Sequence, residues 1–277
     1  MKSVYHYCSV DTFLKIIQNK TIRLTDIGKS NDYEERIYIE NKIHEELLSQ
    51  LKNELSIEEF RNVLQVEELC RNMLRENIIL YAMCFSEQKD LLSQWRGYAN
   101  NGTGIAIGFS KEILDSVNKE TYGLTFKPIC YKEEQQKIFV MEQVKTIINT
   151  MQIKNAFAAF AEVYENEIAN LGCMKASGFS EEKEWRLCKA MSPELRIDCE
   201  AEFPNFTLSR VHEQCTREQI VTYFDLSYET VLDNFITEIV IGPNAKVTSR
   251  DIYRSLYING YNPDKIEIAI SNITYRQ

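Results

Sequence analysis

The sequence is poor in the residues that break or bend a chain. Five prolines and ten glycines are spread over 277 residues, and no stretch rich in Pro, Gly or Ser reads as a linker or hinge. That absence favours one domain over two. Long apolar runs are missing as well. None approaches the roughly 20 consecutive apolar residues of a membrane-spanning helix, and the longest, Ile78–Phe85 and Ile236–Gly242, have the length of strands. The residues from Met1 to His6 lack the apolar segment of a secretory signal, which predicts a cytoplasmic protein with no membrane partner. Only three histidines occur, His6, His44 and His212, so a His-rich metal centre is excluded and no metal is expected. G-x-x-x-x-G-K-[ST], H-E-x-x-H and G-x-S-x-G are all absent. Gly102-Thr103-Gly104 lacks the third glycine of a dinucleotide loop, and a strand follows where that loop needs a helix.

Basic residues are in deficit. Against 41 Asp and Glu there are 32 Lys and Arg, a net charge of −9. Non-specific nucleic-acid binding needs a basic face and is not expected. A small anion such as a dinucleotide needs only one or two placed cations. The eight cysteines include no C-x-x-C pair. Cys84 and Cys188 sit in strand-like runs and Cys70 on a helical one, so they read as reduced thiols acting as small hydrophobes.

What is present predicts an α+β fold, one domain over residues 1–277 with a central mixed sheet. Strands are expected at Val4–Tyr7, Thr21–Thr25, Ile78–Ser86, Gly102–Phe109, Leu124–Tyr131, Lys183–Ala190, Ile220–Leu226, Ile236–Gly242 and Lys265–Ser271. Ser9 can cap a helix carrying Phe13, Ile16 and Ile17 at i, i+3, i+4 spacing. Helical insertions are expected at about 33–76 and 133–171. Within the first, Ser56 and Glu59 form a capping-box pair, followed by an apolar face of Phe60, Val63, Leu64, Met73 and Leu74. Thr248 or Ser249 can cap a last helix running to Ile258.

Several residues could carry chemistry. His6 lies between Tyr5 and Tyr7 on the first strand and faces opposite to them. It suits either a core hydrogen bond or a ligand contact. Asn31-Asp32, with Glu34 and Glu35, makes a polar cluster that suits a helix start or a binding loop. Ser86, Ser93, Gln94, Trp95, Arg96 and Tyr98 follow the strongest strand. Trp95 and Tyr98 are three apart, as core packing or a ring-covering face would have them. Glu182, Glu184 and Arg186 alternate along one strand face, where charge must be paired or exposed. Glu184 is either an ion-pair partner of Arg186 or Arg96, or a carboxylate at a cleft rim. Asp32, Glu181 and Lys183 could form a short nuclease-type triplet, which the net charge argues against.

Tyr5-His6-Tyr7, Phe13, Leu24, Asn31-Asp32, Cys84-Phe85-Ser86, Ser93-x-Trp95-x-x-Tyr98, Gly104-x-Ala106-Ile107-Gly108-Phe109, Glu182-x-Glu184-Trp185-Arg186 and Ile239-Val240-Ile241-Gly242-Pro243 together resemble the bacterial domain-of-unknown-function family 2971, across residues 4–276. The family name implies no activity. Cys8 stands where that family commonly has Thr. The order of elements is also similar to that of the His-type ADP-ribosyltransferases, which include DNA-modifying toxins and tRNA 2′-phosphotransferases. That resemblance implies NAD as co-substrate, with His6 on the ribose, an aromatic such as Tyr7, Trp95 or Tyr98 against nicotinamide, and Glu184 as catalytic carboxylate. Asn31 and Ser86 would join the binding site, and Arg96 or Arg186 would pair with the pyrophosphate. The setting implied is a toxin or phage-defence effector, and the macromolecular acceptor stays open. The competing expectation is a non-enzymatic module that senses a nucleotide or a protein.

Overall fold

Local signals set the first elements. Strand β1 (Ser3–Cys8) ends at Ser9, whose hydroxyl accepts from the Thr12 amide at 3.1 Å and starts helix α1 (Val10–Asn19). Phe13, Ile16 and Ile17 are the buried face of α1, as their spacing predicts. Lys20 takes a left-handed conformation, and the chain returns as β2 (Thr21–Asp26). Helices α2 (Tyr33–Leu51) and α3 (Ile57–Asn77) follow, and the Ser56–Glu59 capping box is formed. The computed structural model describes residues 3–29, 33–118, 123–192, 201–202, 205–216 and 218–275.

The chain continues through β3 (Ile79–Ser86), α4 (Leu92–Gly97), β4 (Ile105–Ser110), the short α5 (Lys111–Asp115) and β5 (Thr125–Pro128). Then come α6 (Glu133–Ile153), α7 (Ala156–Leu171) and β6 (Glu184–Met191). The sequence gives little sign of the next three strands, β7 (Ala201–Glu202), β8 (Thr207–Leu208) and β9 (His212–Thr216), which are short or polar. β10 (Gln219–Ser227), α8 (Leu232–Phe235), β11 (Ile236–Ile241), α9 (Ser249–Ile258) and β12 (Glu267–Ile270) complete the chain, with Thr248 capping α9.

The expected α+β architecture with a central mixed sheet is what forms. Twelve strands make one sheet, in the order β12-β11-β4-β1-β3-β2-β10-β8-β7, with β6 and β5 continuing from β3 and β9 from β10. β11 and β12 are parallel, joined through α9, and the other pairings are antiparallel. The main core lies where α1, α8 and α9 cover this sheet. At one end of the sheet the backbone of β4 approaches its neighbours closely. A Cβ on Gly104 would stand 2.1 Å from the Cys8 carbonyl oxygen, and one on Gly242 would stand 2.5 Å from that of Gly102.

The two helical insertions do not lie separately beside the sheet. α2, α3, α6 and α7 pack on one another around Ile43, Leu47, Val144, Ile147 and Phe160, an apolar cluster distinct from the sheet core. The buried face of α3 also departs from its apolar pattern. Val63, Glu67 and Cys70 point inward, whereas Met73 is exposed. Glu67 is tolerated because Arg71 at 2.8 Å, Tyr164 at 3.1 Å and His44 at 3.1 Å surround its carboxylate, and a buried charge needs such partners. His44 therefore has a partner in the bundle, and His212 stacks on Tyr223 with ring centroids 5.4 Å apart. No helix among the described residues is long and apolar enough to cross a membrane. The seven described cysteines are free thiols.

Candidate functional site

Strand register brings distant residues together. Tyr5 on β1 pairs with Ser86 on β3, and Ser86 pairs with Glu184 on β6. Among the described residues Tyr5–Ser86 is the one position where β1 pairs with β3, and β3 pairs with β2 at Ala82 and Tyr81, so β1 and β3 part beside that row. His6 fills the split. A carbonyl can only accept, so the 2.9 Å contact fixes Nδ1–H of His6 as donor to the Cys84 carbonyl oxygen. The neutral ring then keeps Nε2 as an acceptor. His6 shares a face of β1 with Val4 and Cys8, both in the main core, and its ring meets Phe85 edge-on at 6.2 Å. This burial lowers the His6 pKa below its ordinary 6.5, with the Cys84 hydrogen bond opposing the shift.

A small cavity opens at the split, about 50 Å³, lined by His6, Tyr7, Cys84, Phe85, Gln94, Tyr98, Glu182 and Glu184. His6 and Glu184, each singled out from sequence, therefore face one space. Glu184 is buried between two cations, with Arg186 Nε 2.5 Å from Oε1 and Lys175 Nζ 2.7 Å from Oε2. Burial by itself would raise its carboxyl, but the charges and hydrogen bonds of Arg186 and Lys175 outweigh that and hold it below the usual carboxylate range. Lys175 also reaches Glu182 at 2.9 Å. Lys183, between the two carboxylates, is left-handed with φ 43°, a conformation costing about 1–2 kcal/mol for a residue with a side chain. This turn brings the Glu182 carbonyl onto the Ser86 hydroxyl, which donates to it at 2.6 Å.

The other expected site residues are placed in several ways. Tyr98 lines the cavity and is 48% exposed, at its rim. Tyr7 lines it too, but its hydroxyl is engaged by the Gln88 carbonyl at 2.7 Å and the Leu91 amide at 3.1 Å. Ser86, Trp95 and Arg186 stand behind the wall. Trp95 is fully buried, packs edge-on against Tyr7 at 4.8 Å and donates to Asp90 at 2.7 Å. Its ring is core packing and offers no open face. Ser86 accepts from the Gln88 amide while donating to Glu182, and so ties the end of β3 to the turn before β6. Arg186 donates Nη1 to the Gly172 carbonyl at 2.6 Å and Nε to Glu184, which encloses the guanidinium away from any pyrophosphate. Arg96 is exposed on α4 and does not line the cavity. Asn31 and Asp32 lie outside the described residues. Glu181 and Lys183 are exposed, and among the described residues no group of three His, Cys, Asp or Glu could hold a metal ion.

Sequence reasoning missed Lys175 altogether. A single lysine between Met174 and Ala176 carries no pattern, and only the tertiary contact with Glu182 and Glu184 marks it. Gln94 and Glu182 were visible beside Trp95 and Glu184, but nothing in the sequence ranked them as wall residues.

Residues 94–187 match the family model described as protein of unknown function (DUF2971). The matched segment is about a third of the chain and carries Gln94, Tyr98, Lys175, Glu182, Glu184 and Arg186. The remaining lining residues, His6, Tyr7, Cys84 and Phe85, lie outside it. No curated protein and no solved structure matches the chain.

One pH dependence follows from this wall. With its pKa lowered by burial, His6 is neutral in the folded state, while in the unfolded chain it takes up a proton as pH falls below about 6.5. The unfolded state then binds more protons, so stability is full above that pH and declines below it toward the depressed folded value. The limiting slope is about 1.4 kcal/mol per pH unit for one group. Urea midpoints of wild type and His6→Gln between pH 5 and pH 8 should converge at the acid end. Parallel curves would show that His6 titrates alike in both states.

Proposed function

We propose that the protein binds a nucleotide through its ribose hydroxyls at the split between β1 and β3, that this nucleotide is NAD, and that the protein transfers its ADP-ribosyl group. One observation carries the reading: His6, Glu182 and Glu184 line a single cavity. The imidazole Nε2 and both carboxylates are hydrogen-bond acceptors. A vicinal diol supplies two O–H donors to match them. The cavity of about 50 Å³ fits a sugar edge, so the rest of the dinucleotide lies outside it, past the exposed Tyr98. Arg96, two residues before Tyr98 and exposed, is a cation available to the pyrophosphate. Breaking the nicotinamide–ribose bond develops oxocarbenium character, and Glu184, held ionised by its partners, stabilises that charge electrostatically. A toxin or phage-defence effector acting in the cytoplasm is the setting this activity suits.

A second reading has its own support. Both Glu184 oxygens already face cations, and a neutralised carboxylate suits a non-enzymatic sensor that binds the ribose without cleaving NAD. Thermal unfolding with NAD, ADP-ribose and AMP, followed by nicotinamide release from labelled NAD in cell extract, separates the two. Saturation at about 100 times Kd stabilises a single-site protein by about 2.7 kcal/mol. Transfer requires a shift with NAD, release of nicotinamide, and weaker binding by His6→Ala. A shift without release leaves the sensor. No shift with any ribonucleotide removes both.

A further inference from the structure

We propose that Cys173 and Cys188 are a site of covalent modification by peroxides, oxidised together to a disulfide that ties the end of the helical bundle to strand β6. Their sulfurs lie 3.9 Å apart, with the two residues 15 positions apart in the chain. Both side chains are buried in a small apolar cluster with Leu80, Ala82 and Ile129. Each is held by a different part of the fold. Cys188 is at the centre of β6, paired with Ala82 on one side and Thr125 on the other. Cys173 lies just after α7, its amide donating to Asn170 at 3.0 Å and its carbonyl accepting from Cys130 at 2.9 Å. Two frames thus hold the sulfurs in contact at 3.9 Å, about 2 Å beyond the length of a disulfide bond.

The pair also divides the chemical labour. The hydrogen bond between the two sulfurs lowers the Cys173 pKa, burial opposes this, and Arg186 and Lys127 add to the lowering. The same hydrogen bond, together with burial, raises Cys188. The Cys173 thiolate therefore forms the more readily of the two, and the Cys188 proton is held the more tightly. The thiolate is the nucleophile in such oxidations. Cys173 attacks one peroxide oxygen, an S–O bond forms as the O–O bond breaks, and the departing oxygen leaves as water or an alcohol after taking a proton. The Cys188 sulfur then attacks the sulfenic sulfur. The S–S bond forms as the S–O bond breaks, and the hydroxide leaves as water with the Cys188 proton. In sum, two thiols and one hydrogen peroxide give one disulfide and two waters. The neighbours make the site consequential. Gly172, next to Cys173, supplies the carbonyl that holds Arg186, and Lys175 follows two residues later. Oxidation would therefore fix the segment that presents both cations to Glu184.

The test uses the folded full chain. It is treated with hydrogen peroxide, its remaining thiols are alkylated in denaturant, and it is digested with trypsin without reductant. Trypsin can cut between the two cysteines at Lys175, Lys183 and Arg186, so a disulfide joins two otherwise separate peptides. The expected result is a Cys173–Cys188 peptide that accumulates with peroxide and disappears with dithiothreitol. Cys188→Ser should stop the reaction at the Cys173 sulfenic acid, trapped by dimedone, and Cys188→Ala gives the same readout if the serine is not accommodated. Recovery of Cys173 and Cys188 in alkylated form while exposed Cys215 is oxidised would overturn the proposal. So would a linked peptide that forms only after unfolding in urea.

Discussion

Glu184→Gln should lower the stability of the fold by about 3–5 kcal/mol, the range for removing one partner of a buried ion pair. The amide keeps the shape of the carboxylate but removes the Glu184 charge from beside Arg186, which is 1% exposed and also donates to the Gly172 carbonyl. Lys175 suffers less, because it keeps Glu182 at 2.9 Å. Glu182→Gln should consequently cost less than Glu184→Gln. The two midpoints in urea, measured side by side, check the ranking, and equal midpoints would contradict the cluster. Acid adds a second signature. Glu184 has a folded pKa below its ordinary 4.5, so its contribution is present above about pH 4.5 and lost as pH falls through the folded value. The Gln variant should lack that acid limb. Any loss of transferase activity in Glu184→Gln therefore has to be measured well below the variant's unfolding temperature before it is read as chemistry.

Gly104→Ala is the second large effect, about 3 kcal/mol by the cost of forcing atoms into a packed site. Its Cβ would meet the Cys8 carbonyl oxygen at 2.1 Å and the Ala99 carbonyl at 3.0 Å, all of it backbone. Relief requires β1 and β4 to separate where they pair Cys8 with Ile105. Gly97 is the internal control. Nothing lies within 4 Å of its added Cβ, and it ends α4, so Gly97→Ala should be neutral or stabilising by up to about 1 kcal/mol. Opposite signs for these alanines, read from thermal or urea midpoints, would separate close backbone approach from a general intolerance of substitution. Equal effects would place the constraint elsewhere.

The residues whose behaviour is decided nearby were legible in the sequence. Ser9, the Ser56–Glu59 box and Thr248 cap helices through contacts three residues away. β3 and β11 declare themselves as short apolar runs because both of their faces are covered. The polar β9, His212–Thr216, gives no such signal, since its partner β10 and not its own composition makes it a strand. The candidate site divides in the same way. His6 and Glu184 stand out as polar groups in strand patterns, and register then brings them to one cavity. Trp95 and Arg186 carry the right chemistry for a ligand, yet their burial depends on Asp90, Tyr7 and Gly172, which are fixed only by the fold. The family match over residues 94–187 includes Gly104 and not Gly242, and close backbone packing explains both glycines without any ligand.

The helical bundle bears on how the chain leaves the ribosome. α2 and α3 are synthesised first, and the inward face of α2, Ile39, Ile43, Leu47 and Leu51, is covered with the help of α6 and α7. Those helices begin at Glu133 and end at Leu171. During the interval the nascent hairpin carries an apolar stripe whose cover has yet to be translated, a species that invites chaperone capture or self-association. Slowing translation between residues 78 and 133 would prolong that exposure. Slowing it after α7 has emerged would not, because by then both halves of the bundle are free to pack.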